Sequence, residues 1–389
     1  MRLIDGCDIN PKARAIDDST EVSFVAMPDV SEDGKINTGI IRQYYEVKKG
    51  FTCFQEGDVL FAKITPCMEN GKGALAVGLK NGIGCGSTEF HVLRPDTKVL
   101  QGKWLYYLTS WSAFRKDAER HMTGSAGQKR VPKAYLEKYE LRIPPLTEQL
   151  YQIKALDHVK SIIELRKREI QNLDELVKAR FVEMFGDPET NCNGYPLKKL
   201  DNLVTDIIAG WSANGEARQK NDNEKAVLKV SAVTQGFFKP EEHKALPADI
   251  KIKKYVFPHK GDLLFSRANT RELVGATAII EHDYPDLLLP DKLWRVLFTN
   301  ELNTYYAKYV LSTEAIRKKF SVQSTGTSGS MYNVSSEKFR NITIPVPARA
   351  LQDDFEEFVH QVDKSKVAVQ KSLDETQKLF DSLMQEYFG

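Results

Sequence analysis

Apolar residues recur at every seventh position over residues 147–185, which is the spacing of a long helix. The series consists of Leu156, Ile163, Ile170, Val177 and Met184, with Val159 and Leu173 at the companion positions. Thr147 is a suitable N-cap, and Gly186 with Pro188 gives a stop signal. Because the apolar seam continues over about four heptads, the pattern predicts a coiled-coil helix over 147–185.

Residues 348–389 show the same spacing and predict a second long helix. Its two seam series are Val359, Lys366, Leu373, Phe380, Tyr387 and Val362, Val369, Thr376, Leu383. We expect the helices to pair within the chain as an antiparallel coiled coil, because each seam is too long for one small domain to cover. The alternative is that each helix lies on its own domain. A paired helix of ~39 residues would span ~58 Å and act as a spacer.

The chain repeats itself once, at about half its length. Four anchors recur in the same order, with offsets between 201 and 204 residues. The matching segments are 57–63 with 261–267, 123–127 with 325–329, 143–144 with 344–345, and 185–186 with 388–389. This duplication indicates two domains of one fold, related by a pseudo-twofold axis. We place them at 1–146 and 186–347, each followed by one long helix, 147–185 or 348–389.

Within each copy, short β-rich runs are separated by Gly, Asn and Pro turns, which predicts strands. The predicted strands include 22–26, 58–62, 73–77, 227–230, 263–266 and 276–280. An amphipathic helix is predicted over 104–121 in the first copy and over 303–320 in the second. A final strand is predicted near 141–143 and near 342–344. This order indicates an α+β domain rather than the βαβ alternation of a nucleotide-binding sheet.

Hydrophobic residues make up 41% and charged residues 28% of the 389 positions, as in ordinary globular proteins. No apolar run approaches the ~18 residues of a membrane helix, so we expect a cytoplasmic protein without a membrane contact. The five cysteines are odd in number and widely spaced, which argues against a disulfide framework and a zinc ribbon.

The formal net charge of +2 is unevenly distributed. It divides as +3 over 1–146, 0 over 147–185, +3 over 186–347 and −4 over 348–389. Two mildly basic blocks are compatible with an anionic partner but are too weak to establish one.

The sequence contains no phosphate-binding loop of the form Gly-x-x-x-x-Gly-Lys-Ser/Thr, no His-Glu-x-x-His and no Gly-x-Ser-x-Gly. The seven histidines are scattered without metal-ligand spacing. The search for catalytic motifs is therefore negative, and we expect no metal site in this chain.

The repeated segments 57–63 and 261–267 each begin with Gly-Asp and continue into a predicted strand, which we call the repeated Gly-Asp strand. Polar and cationic side chains follow this strand in both copies. They are Lys63, Thr65 and Lys72 in the first copy, and Arg267, Asn269, Thr270 and Arg271 in the second. Arginine contacts guanine edges, asparagine pairs with adenine, and lysine and threonine reach phosphates or bases. These residues are candidates for DNA contact, and a solvated loop is the alternative.

A loop rich in Gly, Ser and Thr supplies a second candidate in each copy, at 123–130 and 324–332. Its candidate contacts are Ser125, Gln128, Lys129 and Arg130 in the first copy, and Thr327, Ser328 and Tyr332 in the second. Small residues expose backbone N–H groups and hydroxyls to a phosphate, although a helix C-terminal turn has the same composition. The tips differ between the copies, as two readers of two different sequences would.

Taken together, these features resemble the specificity subunit of Type I restriction–modification enzymes over essentially the whole chain. The resemblance rests on the ordered duplication of the 57–61 and 261–265 strands and of the Thr-Gly-Ser/Thr loops. In each copy an Ile-Pro follows, and in the first copy residues 145–149, PLTEQ, open the long helix. The second long helix shares only Gln352 with that opening.

The resemblance implies that 1–146 and 186–347 are target-recognition domains for double-stranded DNA. Each would read one half of a bipartite, asymmetric target, and the paired helices would set the length of the unread spacer. It also implies two methylation subunits and two restriction subunits as partners. The methylation subunits would bind S-adenosylmethionine and methylate adenine N6, and ATP and Mg²⁺ would also bind to partner subunits. No cofactor would bind to this chain, which would have no catalytic residue of its own.

Two other functions are compatible with parts of the sequence. A coiled-coil scaffold could hold protein partners without sequence-specific DNA binding, and its binding would not weaken steeply between ~50 and ~200 mM salt. A self-sufficient nuclease would cleave DNA in the presence of a metal ion, an activity that we do not expect.

Overall fold

A computed structural model describes residues 1–12, 15–125, 127–323 and 332–389. The chain divides into two compact units. The first unit contains Met1–Lys167 together with Lys371–Gly389, and the second contains Arg168–Gln370.

The first unit contains two four-stranded sheets. Its strands are β1 (Cys7–Ile9), β2 (Glu21–Val25), β3 (Ile41–Gln43), β4 (Thr52–Gln55), β5 (Val59–Ala62), β6 (Gly73–Leu75), β7 (Ile83–Gly86) and β8 (Phe90–Pro95). Its helices are α1 (Tyr44–Val47), α2 (Gly102–Ser110), α3 (Ser112–Arg120), α4 (Lys133–Lys138) and the first part of α5 (Leu146–Phe185). The antiparallel main sheet has the order β1-β8-β5-β6, and the second sheet has the order β3-β2-β7-β4.

The second unit repeats the main sheet in the order β10-β17-β13-β15. Its strands are β9 (Leu197–Lys199), β10 (Val204–Ala209), β11 (Ala226–Leu228), β12 (His243–Ala245), β13 (Leu263–Ser266), β14 (Ala268–Asn269), β15 (Thr277–Ile279), β16 (Leu287–Leu288), β17 (Leu293–Phe298), β18 (Tyr332–Asn333) and β19 (Thr343–Pro345). Its helices are α6 (Thr304–Ser312), α7 (Glu314–Gln323), α8 (Ser336–Arg340) and the first part of α9 (Arg349–Phe388). The predicted α+β class and the duplication are confirmed.

The repeated Gly-Asp strand is apolar at every position of β5 and at all positions of β13 except Ser266, because both of its faces are buried. In β5, Val59 and Phe61 pack into the core beneath α2 and α3, whereas Leu60 and Ala62 join a separate core on the other face. Side chains alternate between the two faces of a strand, so consecutive apolar residues serve two cores. Strand β13 divides in the same way.

Two details of the predicted secondary structure were wrong. Each predicted amphipathic helix is two helices, because the chain is extended at Trp111 (ψ 131°) and at Thr313 (ψ 148°). The Thr313 hydroxyl donates to the Val310 carbonyl at 2.7 Å and so competes with the helical backbone pattern. The predicted strand at 141–143 is absent, and the first copy has a single bridge between Arg2 and Glu140 there. Its counterpart β19 forms as predicted and pairs with β9.

The two long helices pair in antiparallel orientation within each unit. In the second unit, Lys366 of α9 contacts Asp174 of α5 at 2.5 Å. The rings of Phe355 and Phe181 lie 5.5 Å apart. Residue numbers therefore increase along α5 while those of the contacting residues decrease along α9, as in an antiparallel pair. In the first unit, Leu156 of α5 and Met384 of α9 share one core. The predicted coiled-coil pairing is confirmed, and the charged seam position Lys366 is neutralised by Asp174.

A buried glutamine anchors the start of each long helix. Gln149 accepts a hydrogen bond from the Gln101 backbone N–H at 2.8 Å and donates to the carbonyls of Val99 and Pro144, each at 2.8 Å. The equivalent contacts of Gln352 join Asn303, Glu301 and Pro347 at 2.8, 3.0 and 2.8 Å. This common contact explains why the glutamine is the one residue that the two helix openings share.

Cys53 and Cys85 form a disulfide in the second sheet of the first unit. The two residues lie directly opposite each other on β4 and β7. The sequence argued against a disulfide framework and did not predict this single bond. The two cysteines lie 32 residues apart in the chain, and only the register of their strands brings them into contact. Cys7, Cys67 and Cys192 are free.

Candidate nucleic-acid interface

The two predicted contact segments of the first copy meet at one end of its main sheet. The Thr65 N–H donates to the Lys129 carbonyl at 3.0 Å, and the Val131 N–H donates to the Lys63 carbonyl at 2.9 Å. An antiparallel bridge joins Ile64 to Arg130 between these contacts. The structure therefore brings together two segments that lie more than sixty residues apart in the chain.

The first-copy candidates differ in their freedom to reach a ligand. Ser125, Gln128 and Lys129 are exposed at the tip of the loop. Thr65 is half-buried and donates through Oγ1 to Glu69 Oε1 at 2.7 Å. The Lys72 ammonium donates to the Met27 carbonyl at 3.1 Å, which holds it against the backbone. The exposed tip is therefore the part of this set best placed for intermolecular contact.

Arg130 is held by a carboxylate of its own domain. Its Nε and Nη2 donate to the two carboxylate oxygens of Glu89 at 2.9 and 2.8 Å. These hydrogen bonds hold the pKa of Glu89 below its ordinary value. In this arrangement Arg130 fixes the base of the loop rather than projecting toward a ligand.

A buried histidine, His91, lies behind the loop at this end of the sheet. His91 Nε2 lies 2.8 Å from the Val131 carbonyl, and its Nδ1 lies 2.9 Å from the side-chain amide of Asn10. Burial lowers the pKa of His91, which favours the neutral ring. Sequence reasoning missed Glu89, which directly precedes β8, and His91, which lies within β8, because that strand has no motif of its own. The repeat offset of 203 residues, which pairs them with Lys292 and Trp294, was the available signal.

The second copy forms the same junction. Strand β14 pairs with β18 so that Asn269 lies opposite Tyr332. The Val334 N–H donates to the Arg267 carbonyl at 2.8 Å, as Val131 does to Lys63. Two further predicted contacts, Thr327 and Ser328, lie outside the described residues.

The cationic cluster of the second copy contains one anchored and one outward arginine. Arg267 donates through Nε to the Asp291 carbonyl at 2.9 Å, and its guanidinium carbon lies 5.8 Å from the centre of the Trp294 ring. Arg271 is exposed, as is Thr270, whose N–H donates to Asn269 Oδ1 at 2.9 Å. Arg271 is therefore the arginine that is free to meet a ligand from solvent.

The same backbone frame carries different chemistry in the two copies. The Lys63 N–H donates to the Glu89 carbonyl at 2.9 Å, and the Arg267 N–H donates to the Lys292 carbonyl at 3.0 Å. A carboxylate in the first copy is thus replaced by an ammonium at the equivalent position of the second. A frame with exposed lysine, arginine and amide groups suits contact with phosphates and base edges.

Two general searches of the described residues add no other kind of site. No group of three or more His, Cys, Asp or Glu side chains is placed to hold a metal ion within these residues. None of the helices in the described part of the chain combines the length and apolar character needed to span a membrane.

Comparison with known proteins identifies the class of this duplicated fold. The family model of the Type I restriction modification DNA specificity domain matches residues 4–175 and again residues 206–376. The chain therefore belongs to the Type I restriction–modification DNA specificity family.

Individual relatives agree with this assignment. The chain is 27% identical over 482 aligned positions to the Type I restriction enzyme EcoEI specificity subunit of Escherichia coli, covering 98% of this chain and 81% of that protein. It is 44% identical over 170 positions to the EcoAI specificity subunit of Escherichia coli, covering 43% of this chain and 29% of that protein. A solved structure from work on complex assembly and conformational transition of the type I restriction–modification system has the same fold, with a TM-score of 0.60 at 19% identity. That match covers 99% of this chain and 96% of the solved chain.

Proposed function

We propose that this chain is the DNA sequence-recognition subunit of a Type I restriction–modification complex, with one half-site read by each recognition domain. The observation that carries the proposal is the repeated junction of the two contact segments. In each copy the same backbone pairing presents different side chains at the same end of the main sheet. Two copies of one frame with different contact groups suit a bipartite and asymmetric target.

The candidate side chains divide into base readers and supports. We assign Gln128 and Lys129 to the half-site of the first domain, and Arg271 and Asn269 to that of the second. Amide and guanidinium groups can form paired hydrogen bonds with adenine and guanine edges in the major groove. Arg130 and Arg267, which are bound by Glu89 and Asp291, position the loops that carry these readers.

The two long helices would determine the number of unread base pairs between the half-sites. Each helix contributes residues to both units, and the pair is held by antiparallel contacts in each. A helix advances 1.5 Å per residue and resists compression, so its length is a suitable measure of spacer length.

The chemistry of the complex would reside in other chains. Two methylation subunits would use S-adenosylmethionine to modify adenine N6, and two restriction subunits would use ATP and Mg²⁺. This chain would supply recognition alone, in the cytoplasm, without a catalytic residue or a cofactor of its own. The membership of the specificity family supports this division.

Sequencing of methylated adenines tests the proposal directly. Cells that carry this chain and its methylation subunit should gain adenine methylation at one bipartite motif with a spacer of constant length. Cells with the methylation subunit alone are the control. No new methylation, or methylation at an uninterrupted motif, would contradict the proposal.

A further inference from the structure

The predicted contact loops are bordered in each unit by exposed cationic side chains that lie beside aromatic rings. In the second unit, the segment 249–260 contains four lysines, and Lys251, Lys253 and Lys254 are exposed. Lys253 Nζ lies 5.9 Å from the centre of the Trp211 ring. Among the described residues, neither Lys251 nor Lys253 forms an ion pair with a carboxylate.

A short chain of contacts connects this lysine segment to the predicted interface. Trp211 follows β10, and its N–H donates to the Leu289 carbonyl at 2.9 Å. The adjacent Ser212 hydroxyl donates to Asp291, the residue that also holds Arg267. Lys254 donates to the Ala209 carbonyl at 2.6 Å, which fixes the segment against the end of the same strand. These contacts therefore connect Lys253 and Lys254 to Arg267 at one end of the main sheet.

The first unit has a related patch beside its own contact loops. The Arg42 guanidinium carbon lies 4.7 Å from the centre of the Phe24 ring, and that ring meets the Phe51 ring edge-on at 5.0 Å. Phe51, Lys63 and Asn10 line a common pocket of about 300 Å³. Arg42 is exposed and stands on the edge strand β3, and the Phe24 and Phe51 rings connect it to the pocket that Lys63 lines.

We propose that Arg42 in the first unit and Lys251 and Lys253 in the second contact phosphates of the DNA that flanks the bases read by the loops. This inference rests on the proposed function and adds a set of residues to it. The ammonium groups of Lys251 and Lys253 can bind a phosphate as point charges, but they do not form the paired contacts that specify a base. Arg42 could form paired contacts, but it stands on edge strand β3 with its guanidinium on the Phe24 ring, outside the two contact segments of its domain. These residues therefore contribute affinity without sequence selectivity.

Salt-dependent binding by the full chain tests this assignment. A duplex of scrambled sequence is titrated with wild type, Arg42→Gln and the double variant Lys251→Gln/Lys253→Gln, between ~50 and ~200 mM salt. The slope of log affinity against log salt should become shallower by about 0.9 for each phosphate that is no longer neutralised, hence by about 0.9 and about 1.8. Lys254 is left in place because its hydrogen bond to Ala209 supports the segment.

Lys260→Gln is the matched control. Lys260 is exposed and belongs to the same segment, but it precedes β13 and so lies at the opposite end of that strand from Arg267. Its slope should equal that of wild type. If a variant has the same salt slope as wild type, the assignment for its unit is overturned. If Lys260→Gln changes the slope as much as Lys251→Gln/Lys253→Gln does, the assignment for the second unit is overturned.

The methylated motif separates phosphate contacts from base contacts. All variants should direct methylation to the wild-type motif, although at reduced levels. A change of base preference in one half-site would overturn the assignment to phosphates. A wild-type chain that binds no duplex and directs no methylation would instead overturn the proposed function, and this inference would fall with it.

Discussion

The Asp58 carboxylate binds the Arg94 guanidinium through two hydrogen bonds, from Nε to Oδ1 at 2.8 Å and from Nη2 to Oδ2 at 2.7 Å. Asp58 is 1% exposed, and its Oδ2 also accepts from the Gln55 N–H at 2.8 Å. In the second copy Asp262 pairs with Arg295 at 2.7 Å. The aspartate of the repeated Gly-Asp strand therefore joins neighbouring strands of the main sheet and is not a DNA contact.

Replacing Asp58 with alanine should destabilise the first unit by about 3 kcal/mol, because it leaves the Arg94 charge without its partner in a mostly buried position. Urea unfolding measures the change. Asp18→Ala is the control, since the Asp18–Lys48 pair is exposed and its loss should cost less than ~1 kcal/mol. Equal losses for the two variants would show that the buried pair has no special role.

Replacing Gln352 with leucine should destabilise the second unit by about 2–4 kcal/mol, because buried backbone groups of Asn303, Glu301 and Pro347 lose their partner. Gln361→Leu changes an exposed glutamine on the same helix and should have little effect on the free energy of unfolding. The prediction fails if thermal or urea unfolding gives the two variants the same free energy of unfolding.

Replacing Arg271 with alanine should relax base preference in one half of the methylated motif, at ~1–3 kcal/mol for each pair of hydrogen bonds removed from a base edge. Gln128→Ala should relax the other half, because Gln128 belongs to the first copy. Sequencing of methylated adenines from cells with each variant measures both effects. Equal relaxation of both halves by either variant would contradict the assignment of one half-site to each domain.

Inserting seven residues into both long helices, after Lys167 and after Gln370, should lengthen the spacer of the methylated motif. Seven residues preserve the heptad phase and add ~10.5 Å, which corresponds to about three base pairs of ~3.4 Å. The half-sites should not change. Insertion into one helix alone is the control and should abolish methylation by disrupting the pairing. An unchanged spacer in the double insertion would exclude the helices as the measure of spacer length.

Replacing Lys308 with methionine should stabilise the second unit at pH 7 by up to ~3 kcal/mol. Burial lowers the pKa of Lys308 from 10.5 to about 8, so the charged form is disfavoured in the folded chain. Between these two values the unfolded chain binds the additional proton, and wild-type stability should therefore rise with pH. The difference between variant and wild type should shrink from about pH 8 upward.

Denaturant unfolding at a series of pH values measures this effect. Lys318→Met is the control, because Lys318 is exposed and paired with Glu314, which raises its pKa. That variant should gain no stability at pH 7. If the difference in the free energy of unfolding between Lys308→Met and wild type stays constant between pH 7 and pH 10, the charge on Lys308 is not its cause.

The amino-acid sequence by itself determined the two long helices, the duplication, the α+β class and the family. This information is periodic or repeated: heptad positions such as Val177 and Val359 identify a helix seam without knowledge of any distant contact. The repeated strand was recognisable for a similar reason, since the seven residues 57–63, which contain its apolar run, recur as residues 261–267.

The tertiary structure decided which of the candidate residues are exposed and which are held by a partner within their own domain. Arg130 and Arg267 resemble Arg271 in the sequence, yet Glu89 and Asp291 occupy the first two through strand pairings formed across tens of residues. The contact of Lys253 with Trp211 and the bond between Cys53 and Cys85 arise in the same way. Such partners are fixed by the register and order of strands, which depend on the packing of the whole domain rather than on any local pattern.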